Sequence, residues 1–196
     1  MKEDQTKILA SIFQKLYPVS KTSLDIVLES CEILSLEKGE QFSSIGILDR
    51  YEYFILKGVV HRFVFAESGE VIPTAFFMDM AVITPHFART IEGKSIFFLE
   101  TLTDVILARL PVKIFDSLRY SYEDLRAFGM KVVEQELLRT ISSDIAQRSM
   151  TAADRLVAFR NKFPNLENLI PHSLIAAYLG VTPVSFSRLR KELSRP

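Results

Sequence analysis

The segment from Pro171 to Leu193, PHSLIAAYLGVTPVSFSRLRKEL, constrains the fold of this chain more than any other. Ala176 stands one helical turn before Gly180, so a helix can be crossed closely there and then stopped by a residue that tolerates positive φ. Thr182 suits an N-cap, and Pro183 falls at the first helical position, where its missing N–H costs nothing. The spacing predicts two helices joined by a tight turn. On the second helix Phe186, Leu189 and Leu193 recur at helical intervals and form the core side. Val184, Ser185, Arg188 and Lys191 fall opposite, flanked by Ser187 and Arg190. A guanidinium that can fork onto guanine, small hydroxyls and cations for phosphate make this side a candidate DNA-reading surface. On this pattern alone, an amphipathic helical hairpin with a solvated basic face is the alternative.

With 196 residues, 48% of them hydrophobic, the chain can bury a real core in one large or two small domains. Its formal net charge is zero, yet residues 1–150 hold 17 Lys and Arg against 21 Asp and Glu, and residues 151–196 hold 7 against 3. A neutral whole with a basic end suits a protein that touches nucleic acid through one small module. No apolar run approaches the ~18 residues of a membrane span, and MKEDQTK lacks the apolar centre of a signal peptide, so a cytoplasmic protein is expected. Cys31 is the single cysteine, which excludes an internal disulfide and a multi-cysteine metal or iron–sulfur site; it is expected to be a buried small apolar residue.

Residues Ile8 to Tyr17 and Lys21 to Cys31 carry apolar positions three and four apart, predicting two short helices joined near Pro18. From about Ile33 the pattern changes to short runs rich in Val, Ile and Phe: ILSL, YFIL, VVHRFVF, VIPTAFF, SIFFLETL and VILARL. These predict a meander of strands closing into a small antiparallel barrel or jelly roll, with Gly69 in a hairpin turn and Lys57-Gly58 at another reversal. From Val112 the pattern is helical again: a short helix to Tyr120, then a long one from Ser121 to Ser149. Met130, Val133, Leu137, Ile141 and Ile145 form a stripe along the long helix, with Glu134, Glu136, Arg139 and Asp144 largely off it. The stripe either packs on the barrel or forms a two-fold seam between protomers. Thr151 to Asp154 reads as a capping box opening a helix to Phe163. The expected division is 1–120, 121–150 and 151–196.

Helical lead-in, small barrel, long helix and C-terminal helix-turn-helix, in that order, resemble the Crp/Fnr family of bacterial transcription regulators. The resemblance covers essentially the whole chain and is strongest in LKGVVHRFVFAESGEVI and IAAYLGVTPVSFSRLRK; the second segment is similar to the variant common in Bacteroidetes. It implies an α+β fold: a cyclic-nucleotide-binding-like jelly roll with flanking helices, a long dimerisation helix and a winged helix-turn-helix-like domain. It further implies a homodimer on a two-fold symmetric duplex DNA site, RNA polymerase as a further candidate partner, and no membrane. Arg188 matches the family's base-contacting arginine, and Ser173 and Thr182 match helix starts that meet phosphates.

The chain departs from the family at two places. Pro183 and Val184 stand where an arginine and a glutamate open the recognition helix in better-known members, so readout would lean on Ser185 and Arg188. Cyclic-nucleotide binders of the family hold the phosphate with a Gly-Glu helix start and an Arg-Ser pair. Here no Gly-Glu occurs, and Arg89-Thr90 or Lys94-Ser95 are approximate stand-ins, which argues against cyclic AMP and leaves another effector, or none, open. Phe63, Phe65, Phe76 and Phe77, with Phe97 and Phe98, either line a pocket or form plain core. His61, His86 and His172 lack a His-x-His pairing, and no nucleophile elbow or phosphate loop occurs, so neither a metal site nor an enzyme is expected. A sensor that acts through protein contacts, with a degenerate helix-turn-helix, is the second functional reading.

Overall fold

The computed structural model describes residues 3–193. Two helices, α1 (Glu3–Leu16) and α2 (Lys21–Ser30), lead into ten strands. These are β1 (Glu32–Leu36), β2 (Gln41–Ser43), β3 (Tyr51–Lys57), β4 (Val60–Phe65), β5 (Val71–Phe77), β6 (Ala81–Val82), β7 (Thr90–Ile91), β8 (Lys94–Ser95), β9 (Phe98–Thr101) and β10 (Val105–Pro111). The one-turn helix α3 (His86–Arg89) sits between β6 and β7. The order of the main sheets is β1-β10-β3-β6 and β2-β9-β4-β5, all antiparallel. This jelly-roll order replaces the expected meander: of the predicted runs, only VVHRFVF and VIPTAFF pair with each other as sequence neighbours across a short hairpin.

Strand periodicity explains the run YFIL, which shows no apolar–polar alternation. Phe54 and Leu56 pack against the N-terminal helices, with Leu9, Ile12, Phe13 and Val27. Tyr53 and Ile55 point the other way into the roll, with Val60, Phe77, Leu99 and Leu107. A strand covered on both faces has no polar side to display. Gly58 forms the β3–β4 reversal at φ +100, and a Cβ there would lie 2.4 Å from the backbone oxygen of Asp104, so only glycine fits.

After β10 the described residues hold helices alone: α4 (Val112–Ser121), α5 (Glu123–Ser149), α6 (Ala152–Lys162), α7 (Leu166–Leu169), α8 (His172–Tyr178) and α9 (Pro183–Glu192). No strand follows β10 among them, so a wing of β-strands is not part of the described C-terminal helices. The break between α4 and α5 falls at Tyr122, which takes an extended conformation. Asp124, at the start of α5, accepts from the Ser20 backbone N–H and the Ser23 hydroxyl, tying the long helix to the N-cap of α2. Cys31 is half-buried rather than fully enclosed, and burial pushes its thiol up to about 12. No described helix is long and apolar enough to cross a membrane.

Helices α6 to α9 enclose a third core of Leu156, Phe159, Phe163, Leu166, Ile175, Ala176, Leu179 and Phe186. That core is continuous with Val59, Phe76 and Leu102 of the roll. Phe76 lies edge-on to Phe159, Phe163 and Tyr178 at 6.0, 6.0 and 5.1 Å between ring centres. The C-terminal helices are therefore docked on the outer face of the β4–β5 sheet through aromatic packing.

Candidate nucleic-acid interface and barrel site

The turn between α8 and α9 is a Schellman motif. Val181 N–H donates to the Ala176 carbonyl at 3.0 Å, Gly180 N–H donates to Ala177 at 3.1 Å, and Gly180 holds φ +67. Thr182 caps α9, its hydroxyl accepting from Ser185 N–H at 3.1 Å, and Pro183 opens the first turn. Phe186 is buried beneath the helix and Leu189 half-buried, while Leu193 is exposed. Val184, Ser185, Ser187, Arg188 and Lys191 all lie exposed on α9. Arg190 is placed differently: it pairs with Glu167, which also holds Arg160 at 2.7 Å. Hydrogen bonding from Arg160 in the first place, and from Arg190, holds the Glu167 carboxyl below its ordinary range despite burial. Arg190 thus braces α9 against α7. Ser173 and Thr182 are exposed and line an open groove with Pro183, whose other wall is Glu70, Val71 and Ile72 at the start of β5.

On α5, Met130, Leu137, Ile141 and Ile145 are 65%, 57%, 47% and 54% exposed, Val133 is half-buried, and Leu138, outside the predicted stripe, is exposed as well. The opposite side of α5 meets the roll. There Glu136 receives both Arg139, from its own helix, and Arg62 of β4 at 3.1 Å. Thr84 joins them, accepting from Arg62 at 2.8 Å and from Arg139 at 3.2 Å. Against the upward push of burial, the two guanidinium groups hold the Glu136 carboxyl below its ordinary value. Burial, reinforced by Arg139, brings Arg62 down to about 10.

The eight candidate pocket residues do not converge. Alternation along β4 sends Phe63 and Phe65 to the outer face, where they cluster with Phe98 and His61. Phe76 packs under the C-terminal helices, while Phe77 points inward. Lys94 is exposed, the Thr90 hydroxyl donates to the His86 carbonyl, and Ser95 donates to Phe97. Arg89 is fully buried: it pairs with Asp49 at 2.7 Å, donates to the Tyr51 carbonyl, and lies 4.8 Å from the Tyr53 ring centre, while its Nε has no hydrogen-bond partner among the described residues. Asp49 is held in turn by Ser43, Tyr53 and the Tyr51 N–H. A carboxylate of the chain itself thus occupies the guanidinium of the candidate Arg89-Thr90 pair. Sequence reasoning missed Asp49 because nothing marks a pairing across forty positions.

His61 is buried and stacks between Phe63 and Phe76, with ring centres 4.6 and 6.4 Å away; burial brings it down to about 4. His86 donates through Nε2 to the Asp49 carbonyl, and His172 donates through Nε2 to the Glu167 carbonyl. Among the described residues no group of three or more His, Cys, Asp or Glu is placed to hold a metal ion.

No family model matches the chain, and no curated protein matches it by sequence. Solved structures do. FixK2 from Bradyrhizobium japonicum superposes with a TM-score of 0.72 at 17% identity, over 83% of this chain and 84% of that one. The c-di-GMP responsive global regulator CLP of Xanthomonas campestris gives 0.68 at 15% identity, over 89% and 91%. A protein assigned to the Crp/Fnr family of transcriptional regulators, from Eubacterium rectale, gives 0.71 at 12% identity, over 91% and 87%. From roll to helix-turn-helix, the chain has the fold of the Crp/Fnr regulators.

Proposed function

We propose that the protein is a DNA-binding transcription regulator of the Crp/Fnr type, working as a homodimer. The observation that carries this reading is the outward face of α9: a capped helix on a packed base presents Ser185, Ser187, Arg188 and Lys191 to solvent together. Arg188 is the base-reading residue, able to fork onto guanine, while Ser173, Thr182 and Lys191 meet phosphates. Arg190 acts behind the surface, as a strut to Glu167. The exposed stripe Met130, Leu137, Ile141 and Ile145, edged by Val133, forms the seam with a second copy, since aliphatic side chains so aligned otherwise remain in water.

In that dimer the two α9 helices address half-sites about one DNA turn apart. The angle between the α5 helices sets their spacing, so any signal that shifts α5 against the roll shifts DNA affinity. The pairing of Arg89 with Asp49, and a roll interior filled by Tyr53, Ile55, Phe77, Leu99 and Leu107, argue against cyclic AMP as that signal.

Two variants test the parts separately. Arg188→Ala is expected to weaken binding to a selected operator by roughly 1–3 kcal/mol and to relax preference at one base pair, while sedimentation still shows a dimer. Leu137→Asp with Ile141→Asp is expected to sediment as a folded monomer; a dimer would remove the α5 seam from the account. Wild-type protein that binds no duplex in preference to another would leave the reading as a sensor acting through protein contacts.

A further inference from the structure

Between the roll, α5 and α8 lies a cavity of about 130 Å³ lined by Arg62, Thr74, Arg139, Ser143, Asp144 and Tyr178, among others. The side chains of Arg62 and Arg139 are largely buried, and both lean on the single carboxylate of Glu136. Arg62 donates through Nε to Thr74 and through Nη1 to Thr84 and Glu136, while Arg139 donates through Nε to Glu136 and through Nη2 to Thr84 and Glu136. Nη2 of Arg62 and Nη1 of Arg139 keep no hydrogen-bond partner among the described residues. Lys162 of α6 feels the same cluster: burial and then Arg139 lower its affinity for a proton, partly offset by Glu136. Asp144, the carboxylate that lines the cavity itself, is engaged by Arg148 at 2.7 Å. Positive charge is therefore in excess at a half-enclosed place, where attraction for an anion is stronger than at an open surface.

We infer that this cavity is a binding site for a small tetrahedral oxyanion, a phosphate, a sulfate or the phosphoryl end of a metabolite, bridging the free edges of Arg62 and Arg139. The donors are two guanidinium edges and the Tyr178 hydroxyl, whose oxygen accepts from Ser143, a set that suits an anion with four oxygens better than a planar carboxylate. The size agrees: drug-sized ligands need about 300–1,000 Å³, so the site takes one phosphoryl group and not a whole nucleotide. It is separate from Arg89 and Asp49, and it does not depend on the DNA-binding reading. Its walls belong to three units: Arg62 and Thr74 to the roll, Arg139 and Ser143 to the long helix, and Tyr178 to the helix-turn-helix. Gln147 of α5 already donates to the Tyr178 carbonyl at 2.9 Å. An anion there fastens the C-terminal helices in their docked position.

The test is titration of the full chain with inorganic phosphate at constant ionic strength, followed by calorimetry and by backbone amide shifts, with acetate as the planar comparison. Wild type is expected to bind one phosphate per chain, to shift the amides around Arg62, Ser143 and Tyr178, and to bind acetate at least about tenfold more weakly. Arg139→Gln is expected to weaken phosphate about tenfold or more by removing a charged donor. Asp144→Asn removes a like charge from the wall without touching the buried network and is expected to tighten phosphate about two- to fivefold. This second variant decides the matter if Arg139→Gln does not fold. No saturable binding by wild type, or an affinity indifferent to Asp144→Asn, would overturn the site.

Discussion

Replacing Arg89 by Met should be among the most damaging single changes in the roll, and its cost can be reasoned from the surroundings. The substitution keeps most of the side-chain volume but leaves the Asp49 carboxylate, 2% exposed, without its charge partner. What remains are neutral bonds from Tyr51 N–H at 3.2 Å and from Tyr53 and Ser43 at 3.3 Å, all longer than the 2.7 Å bond that is lost. Removing one partner of a buried ion pair costs about 3–5 kcal/mol, and three weak remaining donors place the expected loss near the lower end. Asp49→Asn should cost a similar amount, because the fully buried guanidinium keeps as direct partners the Tyr51 carbonyl and the Tyr53 ring, with the Glu52 carboxyl, itself raised to about 7, as the nearby acid. The double variant loses both charges together and should recover about 2 kcal/mol or more of the summed losses. Urea unfolding followed by circular dichroism and tyrosine emission, the chain having no tryptophan, gives the three values, provided the slope with denaturant is unchanged. Single variants within about 1 kcal/mol of wild type, or a double variant no better than additive, would refute the claim that Asp49 occupies Arg89.

Two buried groups titrate in opposite senses. Burial raises Glu52 to about 7, so between the unfolded value near 4.5 and about 7 the folded state holds the extra proton and stability falls as pH rises. Burial lowers His61 to about 4, so between about 4 and the unfolded 6.5 the unfolded state holds the extra proton and stability rises with pH. The slopes oppose each other in wild type. Glu52→Gln is therefore expected to stabilise the protein at pH 8 but not at pH 4, and His61→Phe to stabilise it at pH 4 but not at pH 8, by about 2–4 kcal/mol in each case. Melting curves across this range check both, and flat differences would contradict them. Gly58→Ala is expected to cost more than about 2 kcal/mol, from positive φ and the collision with the Asp104 carbonyl; a melting point within about 2 °C of wild type would show that the turn relaxes.

The helix-turn-helix was legible because its signals are local: Gly180, Thr182 and Pro183 each act on the few residues beside them, as does Thr151, whose hydroxyl accepts from Asp154 N–H. The strand runs were legible for the same reason, but their order was not. Pairings such as Glu32 with Arg109 join residues far apart in the chain, and no short motif announces them. Helical spacing placed Glu136 and Arg139 off the apolar stripe of α5, yet it could not say that this side faces Arg62. Arg190 shows the limit on the candidate surface itself: spacing puts it beside Arg188, while only the packing of α7 reveals that Glu167 holds it. The four phenylalanines of the candidate pocket were seen as a composition, and period two then divided them between opposite faces of the sheet.

The most direct test of the central claim is selection from a randomised duplex library with the purified protein at about physiological salt, where non-specific phosphate attraction is weak, with and without cyclic AMP. A two-fold symmetric site with half-sites about one helical turn apart is expected, recovered equally in both conditions and blurred at one position by Arg188→Ala. Recovery of no symmetric site would contradict the DNA-regulator reading, and a site that appears only with cyclic AMP would contradict the assignment of Arg89 to Asp49.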